Sequence, residues 1–175
     1  GVFQGTHLRP KGAPIDNLVR PGRMTDLAQR NQLNLLRRLN RPVDGLSAVG
    51  ELASRIESFE LAYRMQSAAP EALAIENEPG HVQALYGIGD QRCDHFARQC
   101  LVARRLVERG VRFVQLYSGG NENQRSWEGH ADIQGNHTQF AGETDRPVAG
   151  LLADLQQRGL LEETLVCLLY TSPRP

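Results

Sequence analysis

The chain has 175 residues, with 20 basic and 20 acidic side chains, so its formal net charge is zero. This balance argues against a nucleic-acid-binding protein, in which contacts to phosphates usually require a strong excess of basic residues. The sequence also lacks the roughly 18 consecutive apolar residues that a membrane-spanning helix needs, so we expect no transmembrane segment. Its length suits one domain that can bury a sizeable core.

Three helices are predicted before residue 110. Apolar residues recur at helical spacing over Thr25–Leu39 and again over Ser47–Pro70. A third helix is predicted over Asp90–Arg109, with Gly110 in the left-handed position that often follows a helix. Residues 70–89, between the second and third helices, are expected to form a loop with one short turn.

Two cysteines of the third helix are predicted to be core residues. Cys93 and Cys100 are seven positions apart, which places them two turns apart on one helical face. That face also carries Phe96, Ala97, Ala103 and Val107. We therefore expect both thiols to be small buried apolar groups and not a redox or metal site.

The last part of the chain predicts a change from helices to strands. Residues 111–117 are short, β-branched and aromatic, and residues 162–169 form a second apolar run. A helix is predicted over 144–158 between them. This order favours a parallel strand-helix-strand unit with a right-handed crossover, in which a ligand would lie beyond the carboxyl ends of the strands.

A polar loop, residues 118–143, follows the first predicted strand and carries the strongest candidate site; partial helix over 131–141 is left open. Glu128 and His130 are two positions apart, so a carboxylate and an imidazole could converge on one divalent cation, with His137 or Asp132 as a further ligand. The alternative is a solvated loop with local turn hydrogen bonds. No serine in the chain lies in a Gly-x-Ser-x-Gly context, so spacing identifies no nucleophile.

Several long and ordered stretches resemble one bacterial family. They are Arg55–Gln66, Ala69–Ala72, Cys100–Gln115, Trp127–His130 and Arg158–Leu161. The family is the sulfatase-like group of the alkaline phosphatase-like superfamily, which usually carries only the label of a domain of unknown function. The resemblance covers roughly residues 1–166.

The resemblance implies a partial alkaline phosphatase-like α/β sandwich over residues 1–169, with residues 170–175 as a tail foreign to the family. It also implies hydrolysis of phosphate or sulfate esters with divalent metals held by acidic residues and histidines. The family's Trp-Asp-x-His pattern falls on Trp127–His130, and its downstream histidine falls on His137. On this basis Glu128, His130 and His137 are the expected ligands of zinc, calcium or manganese.

Two hypotheses about function remain open at this stage. In the first, the chain is an inactive fragment of a metal-dependent ester hydrolase that acts on a small-molecule or glycan ester. In the second, it belongs to a non-catalytic binding or scaffold protein that keeps the hydrolase fold, which the glutamate at 128 in place of aspartate would favour. Full-length members of the family resemble exported proteins, so the resemblance implies a periplasmic or exported location. The sequence does not indicate an oligomeric state.

Overall fold

A computed structural model describes residues 6–9, 15, 18, 20, 22–39, 49–119, 127 and 132–169. Secondary structure in these residues is helical, with short 3₁₀ turns over Ile75–Asn77 and Leu161–Glu163. The α-helices are α1 (Asp26–Leu39), α2 (Val49–Leu73), α3 (Gly80–Tyr86), α4 (Asp94–Glu108) and α5 (Ile133–Gln157).

The described part of the chain contains no β-strand, so the predicted partial alkaline phosphatase-like α/β sandwich, with its parallel strand-helix-strand unit, is wrong. The chain divides into two units, Gly1–Glu71 and Ala72–Pro175. Among the residues described, no helix combines the length and apolar character needed to cross a bilayer, which agrees with the expectation of no transmembrane segment.

In the first unit, helices α1 and α2 are connected mainly by polar side chains. Helix α1 begins after Thr25, whose Oγ1 accepts a hydrogen bond from the backbone N–H of Ala28 at 3.2 Å. The guanidinium of Arg30 pairs with the Glu60 carboxylate at 3.1 Å and lies 4.2 Å from the centre of the Tyr63 ring. These contacts fix α1 against the middle of α2.

Helix α2 continues three residues beyond Pro70, where the sequence predicts its end. A proline removes one intrahelical hydrogen bond, but the helix can continue when the following turn is held by other contacts. Here Ala72 is buried, and its carbonyl oxygen accepts a hydrogen bond from Arg105 Nε at 2.8 Å. Tertiary contacts after the proline therefore outweigh its local effect.

The second unit has its own apolar core, in which α3, α4 and α5 pack together. Cys93 and Cys100 are buried in this unit, as are Phe96 and Ala97 on the same helix, so the prediction of a buried cysteine face is confirmed. The core cluster consists of Ile75, Val82, Tyr86, Phe96, Ala97, Cys100, Leu101, Leu151 and Leu155.

Helices α4 and α5 end in the same way and side by side. Gly110 and Gly159 follow the two helices with φ of 82° and 69°, the left-handed conformation that glycine adopts at low cost. The residue after each glycine donates a backbone hydrogen bond to the last turns of the preceding helix. Val111 N–H bonds to the carbonyl of Leu106 at 3.0 Å, and Leu160 N–H bonds to the carbonyl of Leu155 at 2.9 Å. An ion pair of 2.9 Å between Arg158 and Glu108 joins the two ends.

Two runs predicted as strands follow these helix ends. We call residues 111–117 the first apolar segment and residues 164–169 the second apolar segment. Neither is a strand, because a strand requires a neighbour for its backbone hydrogen bonds and none pairs with them among the described residues. The apolar, β-branched composition of the runs was therefore insufficient evidence for a sheet.

Candidate functional site

The candidate metal loop contains a helix in its second half. Helix α5 begins at Ile133, although the sequence predicts its start near Thr144. The Asp132 carboxylate caps it, because Oδ1 accepts a hydrogen bond from Gly135 N–H at 2.8 Å. A β-carbon at Gly135 would lie 2.8 Å from the Cγ of Asp132, so a larger residue here would require the capping carboxylate to shift. His137 is therefore a helical residue in the first turns of α5.

Trp127 and His137 form the described part of the candidate site. His137 Nε2 is 3.0 Å from the backbone oxygen of Trp127, and the two rings are 6.0 Å apart. Phe140, one turn further along α5, lies 5.5 Å from the Trp127 ring. The indole Nε1 also donates a hydrogen bond of 3.3 Å to Ser118 Oγ, which ties the end of the first apolar segment to α5 through Trp127.

The structure bears differently on the remaining candidate ligands, Glu128, His130 and Asp132. Glu128 and His130 lie outside the described residues, so their assignment as metal ligands stays a prediction. The Asp132 carboxylate caps α5 through Oδ1, so this oxygen is used within the helix end. Among the residues that the structure describes, no group of three or more potential metal ligands comes together.

A shallow open groove of about 560 Å³ lies beside the first turns of α5. Arg92 supplies a cationic side chain to this groove, and its aliphatic stem passes over Gly142, where a β-carbon would lie 2.8 Å from Arg92 Cδ. The remaining lining residues are Asp132, Gln134, Gly135, Thr138 and Gln139. His137 is on a neighbouring face of the helix and does not line the groove.

A group of ionisable side chains with perturbed pKa values lies elsewhere, around Arg104 on α4. This arginine is only 1% exposed. Its Nε is 2.8 Å from Asp154, its Nη2 is 2.8 Å from Glu78, and its Nη1 is 2.8 Å from Glu108. The hydroxyl of Tyr86 donates a hydrogen bond of 2.9 Å to Asp154. We call Glu78, Tyr86, Arg104, Arg105, Glu108, Asp154 and Arg158 the buried charge cluster.

Arg105 and Arg158 complete the cluster. Arg105 Nη1 contacts Glu78 Oε1, and Arg158 Nε contacts Asp154 Oδ1 at 2.7 Å. The cluster thus has three guanidinium groups and three carboxylates, and every carboxylate contacts at least two of the arginines. Because its charges balance and are mutually bonded, the cluster is suited to joining α3, α4 and α5, and not to proton transfer or nucleophilic attack.

The cluster lowers the pKa values of two of its carboxylates, Glu78 and Asp154. Burial by itself raises the pKa of Glu78, but hydrogen bonds from Arg104 and Arg105 outweigh it and hold that pKa below its ordinary value. Burial likewise raises the pKa of Asp154, and hydrogen bonds from Arg158 and Tyr86 lower it further than burial raises it. Both carboxylates are therefore ionised in the folded protein at neutral pH.

Acid is expected to destabilise the second unit. Because folding lowers the pKa values of Glu78 and Asp154, both carboxylates stabilise the folded state at pH values above their ordinary pKa values of 4.5 and 3.8. This stabilisation is lost as the pH falls through the lowered pKa values of the folded state. Urea unfolding followed from about pH 7 to about pH 3 should show a decline that begins near the ordinary values. Asp154→Asn should lower the free energy of unfolding at neutral pH, and this free energy should fall less steeply as the pH is lowered.

The matched control for the acid experiment is Asp145→Asn, because Asp145 is an exposed residue of the same helix. This variant should keep the pH dependence of the unsubstituted chain. An Asp154→Asn variant with an unchanged pH dependence would show that Asp154 does not contribute to acid sensitivity.

The sequence does not indicate the buried charge cluster, because its members look like ordinary surface charges on amphipathic helices. Arg105 is a clear example, since arginines are rarely buried in folded proteins, yet this residue is buried. The only signal that could have found it is the position of Arg104 and Arg105 beside the apolar residues Leu101 and Ala103 on α4.

Comparison with known proteins identifies a family for this chain. No curated protein and no solved structure matches the chain. Residues 1–169 match the family described as protein of unknown function (DUF1501). This match spans all five α-helices, the Trp127–His137 contact and the buried charge cluster, and the chain therefore belongs to the DUF1501 family.

Proposed function

We propose that the chain carries the metal-binding residues of a sulfatase-like, metal-dependent hydrolase of phosphate or sulfate esters. Glu128, His130 and His137 are the proposed ligands of one divalent cation. The proposal rests on the Trp127–His130 motif and its resemblance to the sulfatase-like family. It does not rest on a fold, because the described residues form helices only.

The observation that carries the proposal is the hydrogen bond between His137 and Trp127. A carbonyl oxygen can only accept, so His137 Nε2 is the donor of this 3.0 Å contact. In the neutral ring the lone pair is then on Nδ1, where it is available to a cation. Histidines that bind metals commonly donate their other ring N–H to a backbone carbonyl or a carboxylate, which fixes the tautomer and the ring orientation.

The hydrogen bond also places His137 beside Trp127, the residue that immediately precedes Glu128 in the sequence. Trp127 is itself anchored by Ser118 and Phe140. A divalent cation bound by such a site would act as a Lewis acid on a phosphoryl or sulfuryl oxygen and lower the pKa of a bound water molecule. A small-molecule or glycan ester is the substrate class we propose, in an exported or periplasmic protein.

Substitution of His137 is expected to weaken metal binding. Zinc, calcium and manganese should each be titrated calorimetrically into the 175-residue chain and into its His137→Ala variant. Loss of the hydrogen-bond partner of a metal ligand typically lowers metal affinity by about 10- to 100-fold. Removal of the imidazole itself should lower the affinity for the metal that binds best by at least as much. His81→Ala, at an exposed histidine on α3, is the matched control and should bind like the unsubstituted chain.

Equal affinity of the His137→Ala and His81→Ala proteins would overturn the assignment of His137. Circular dichroism should confirm that both variants keep their helices, since His137 is exposed on α5 and its ring is not part of the core. The same titration with Glu128→Ala and His130→Ala tests the remaining two ligands.

A non-catalytic binding or scaffold role is the second candidate. The use of the Asp132 carboxylate as a helix cap favours it, because this removes one acidic oxygen from the set that could bind metal. The glutamate at position 128, where the resembled family usually has aspartate, favours it as well. Metal binding without turnover of aryl sulfates or aryl phosphates would support this role over hydrolysis.

A further inference from the structure

The second apolar segment, Thr164–Leu169, has the most exposed large apolar side chains in the described part of the chain. Leu165 is 88% exposed, Leu168 is 95% exposed and Leu169 is 81% exposed. Isolated surface leucines are common in soluble proteins, but three within five consecutive residues concentrate apolar area in one short segment. Such a surface indicates a contact with another molecule.

The backbone of the segment is available for hydrogen bonding. Thr164 N–H bonds back to the carbonyl of Leu161 at 3.4 Å, and Thr164 itself has extended angles of φ −123° and ψ 115°. After it, no backbone hydrogen bond joins residues 165–169 to any other residue that the structure describes. The segment therefore offers both free peptide groups and apolar side chains, which are the two components of strand pairing between chains.

The charge pattern identifies the partner that suits this surface. The six residues Thr-Leu-Val-Cys-Leu-Leu contain no charged residue, no proline and no glycine. Short segments of this composition pair well with copies of themselves, because identical uncharged side chains interlock without repulsion. The net charge of the whole chain is also zero, so long-range repulsion between two copies is weak.

The first apolar segment provides the contrast. Phe113 is 80% exposed, so this segment also has an apolar surface. It contains Arg112, however, and pairing of two identical segments would bring like charges close together, which is unfavourable. Self-pairing is therefore favoured for the second apolar segment and disfavoured for the first.

We propose that the second apolar segment of one copy pairs with the same segment of a second copy. Backbone hydrogen bonds join the two segments in extended conformation, and Leu165 and Leu168 contribute apolar area to the contact. The helical core of each copy remains unchanged.

Sedimentation velocity of the full 175-residue chain over a range of concentrations tests the proposal. The unsubstituted chain should form species of at least twice the monomer mass, and these should increase with concentration as mass action requires. Leu168→Lys places a charge within the contact and should weaken association by about tenfold or more, which corresponds to about 1.4 kcal/mol. Phe113→Lys adds the same charge at another highly exposed apolar residue, in the first apolar segment, and should associate like the unsubstituted chain.

Infrared spectroscopy of the same samples gives an independent readout. The amide I band of intermolecular β-structure should grow with the associated fraction and be lost in Leu168→Lys. A chain that stays monomeric at all concentrations would overturn the proposal. So would equal effects of the two lysine substitutions, a larger effect of Phe113→Lys, or association without the β-structure band. Both substituted residues are exposed, so both variants should fold, and circular dichroism checks that they do.

Discussion

Replacement of Arg104 with methionine is expected to lower the free energy of unfolding of the second unit by about 3–5 kcal/mol. Arg104 is nearly inaccessible to solvent and lies between Glu78 and Asp154 at 2.8 Å from each. Methionine fills similar space but leaves two buried carboxylates without their shared cation. The loss should be measured by urea unfolding at neutral pH.

Arg98→Met is the matched control for Arg104→Met. Arg98 is on the same helix and pairs with Asp94 at 2.9 Å, but its side chain is 41% exposed. Such pairs typically contribute about 0.5 kcal/mol or less. A triple variant, Arg104→Met with Glu78→Gln and Asp154→Asn, should recover part of the loss because the buried charges are removed together. Equal effects of Arg98→Met and Arg104→Met would show that burial of the cluster does not determine its contribution.

Gly150→Ala is expected to destabilise the second unit by about 1–3 kcal/mol, although alanine is normally the better helix former. Helices α3 and α5 approach each other at this glycine. A β-carbon there would lie 2.9 Å from the Leu85 carbonyl oxygen and 3.0 Å from Tyr86 Cα. These are backbone atoms and cannot rotate away, so the two helices would have to separate and the core around Tyr86 would loosen.

Gly80→Ala gives the contrasting result. Gly80 is the first residue of α3, and nothing lies within 4 Å of a β-carbon placed there. This substitution should leave stability unchanged or raise it by up to about 1 kcal/mol. Thermal unfolding of the two variants measures the difference. Destabilisation by Gly80→Ala equal to that by Gly150→Ala would exclude the close helix approach as the cause.

The helices that the sequence predicted well are those whose signal is local. Helix α1 begins within one residue of its predicted start, and α4 ends at a glycine with positive φ, as predicted. The periodicity of apolar residues and the glycine after a helix depend only on neighbouring positions. The buried face of Cys93 and Cys100 follows from the same periodicity.

The features that the sequence predicted poorly depend on residues distant in the chain. Strand composition over 111–117 and 162–169 could not show whether a pairing partner is present, and none is found among the described residues. Pro70 could not reveal that the turn after it is held by Arg105. The sequence left helix over 131–141 open but did not join it to the helix predicted over 144–158, because the polar residues of 133–143 lack an apolar stripe. The Asp132 cap makes the helix begin there.

The metal ligation expected of the candidate site stays a prediction. The sequence places Trp127 and His137 in one polar segment, and the structure joins them by a hydrogen bond. It could not predict the buried charge cluster, because Glu78, Arg104 and Asp154 come from three separate elements. A charge can be assigned to a buried pair only when the positions of both partners in space are known.

Trp127 has one further consequence, because it is the only tryptophan in the sequence. Its indole lies 6.0 Å from the His137 imidazole, and its emission is therefore a natural optical reporter of that ring. A proton or a metal cation on the imidazole withdraws electrons and quenches a neighbouring indole more strongly than the neutral ring does. Fluorescence of the unlabelled chain thus monitors occupancy of His137 directly, without interference from other tryptophans.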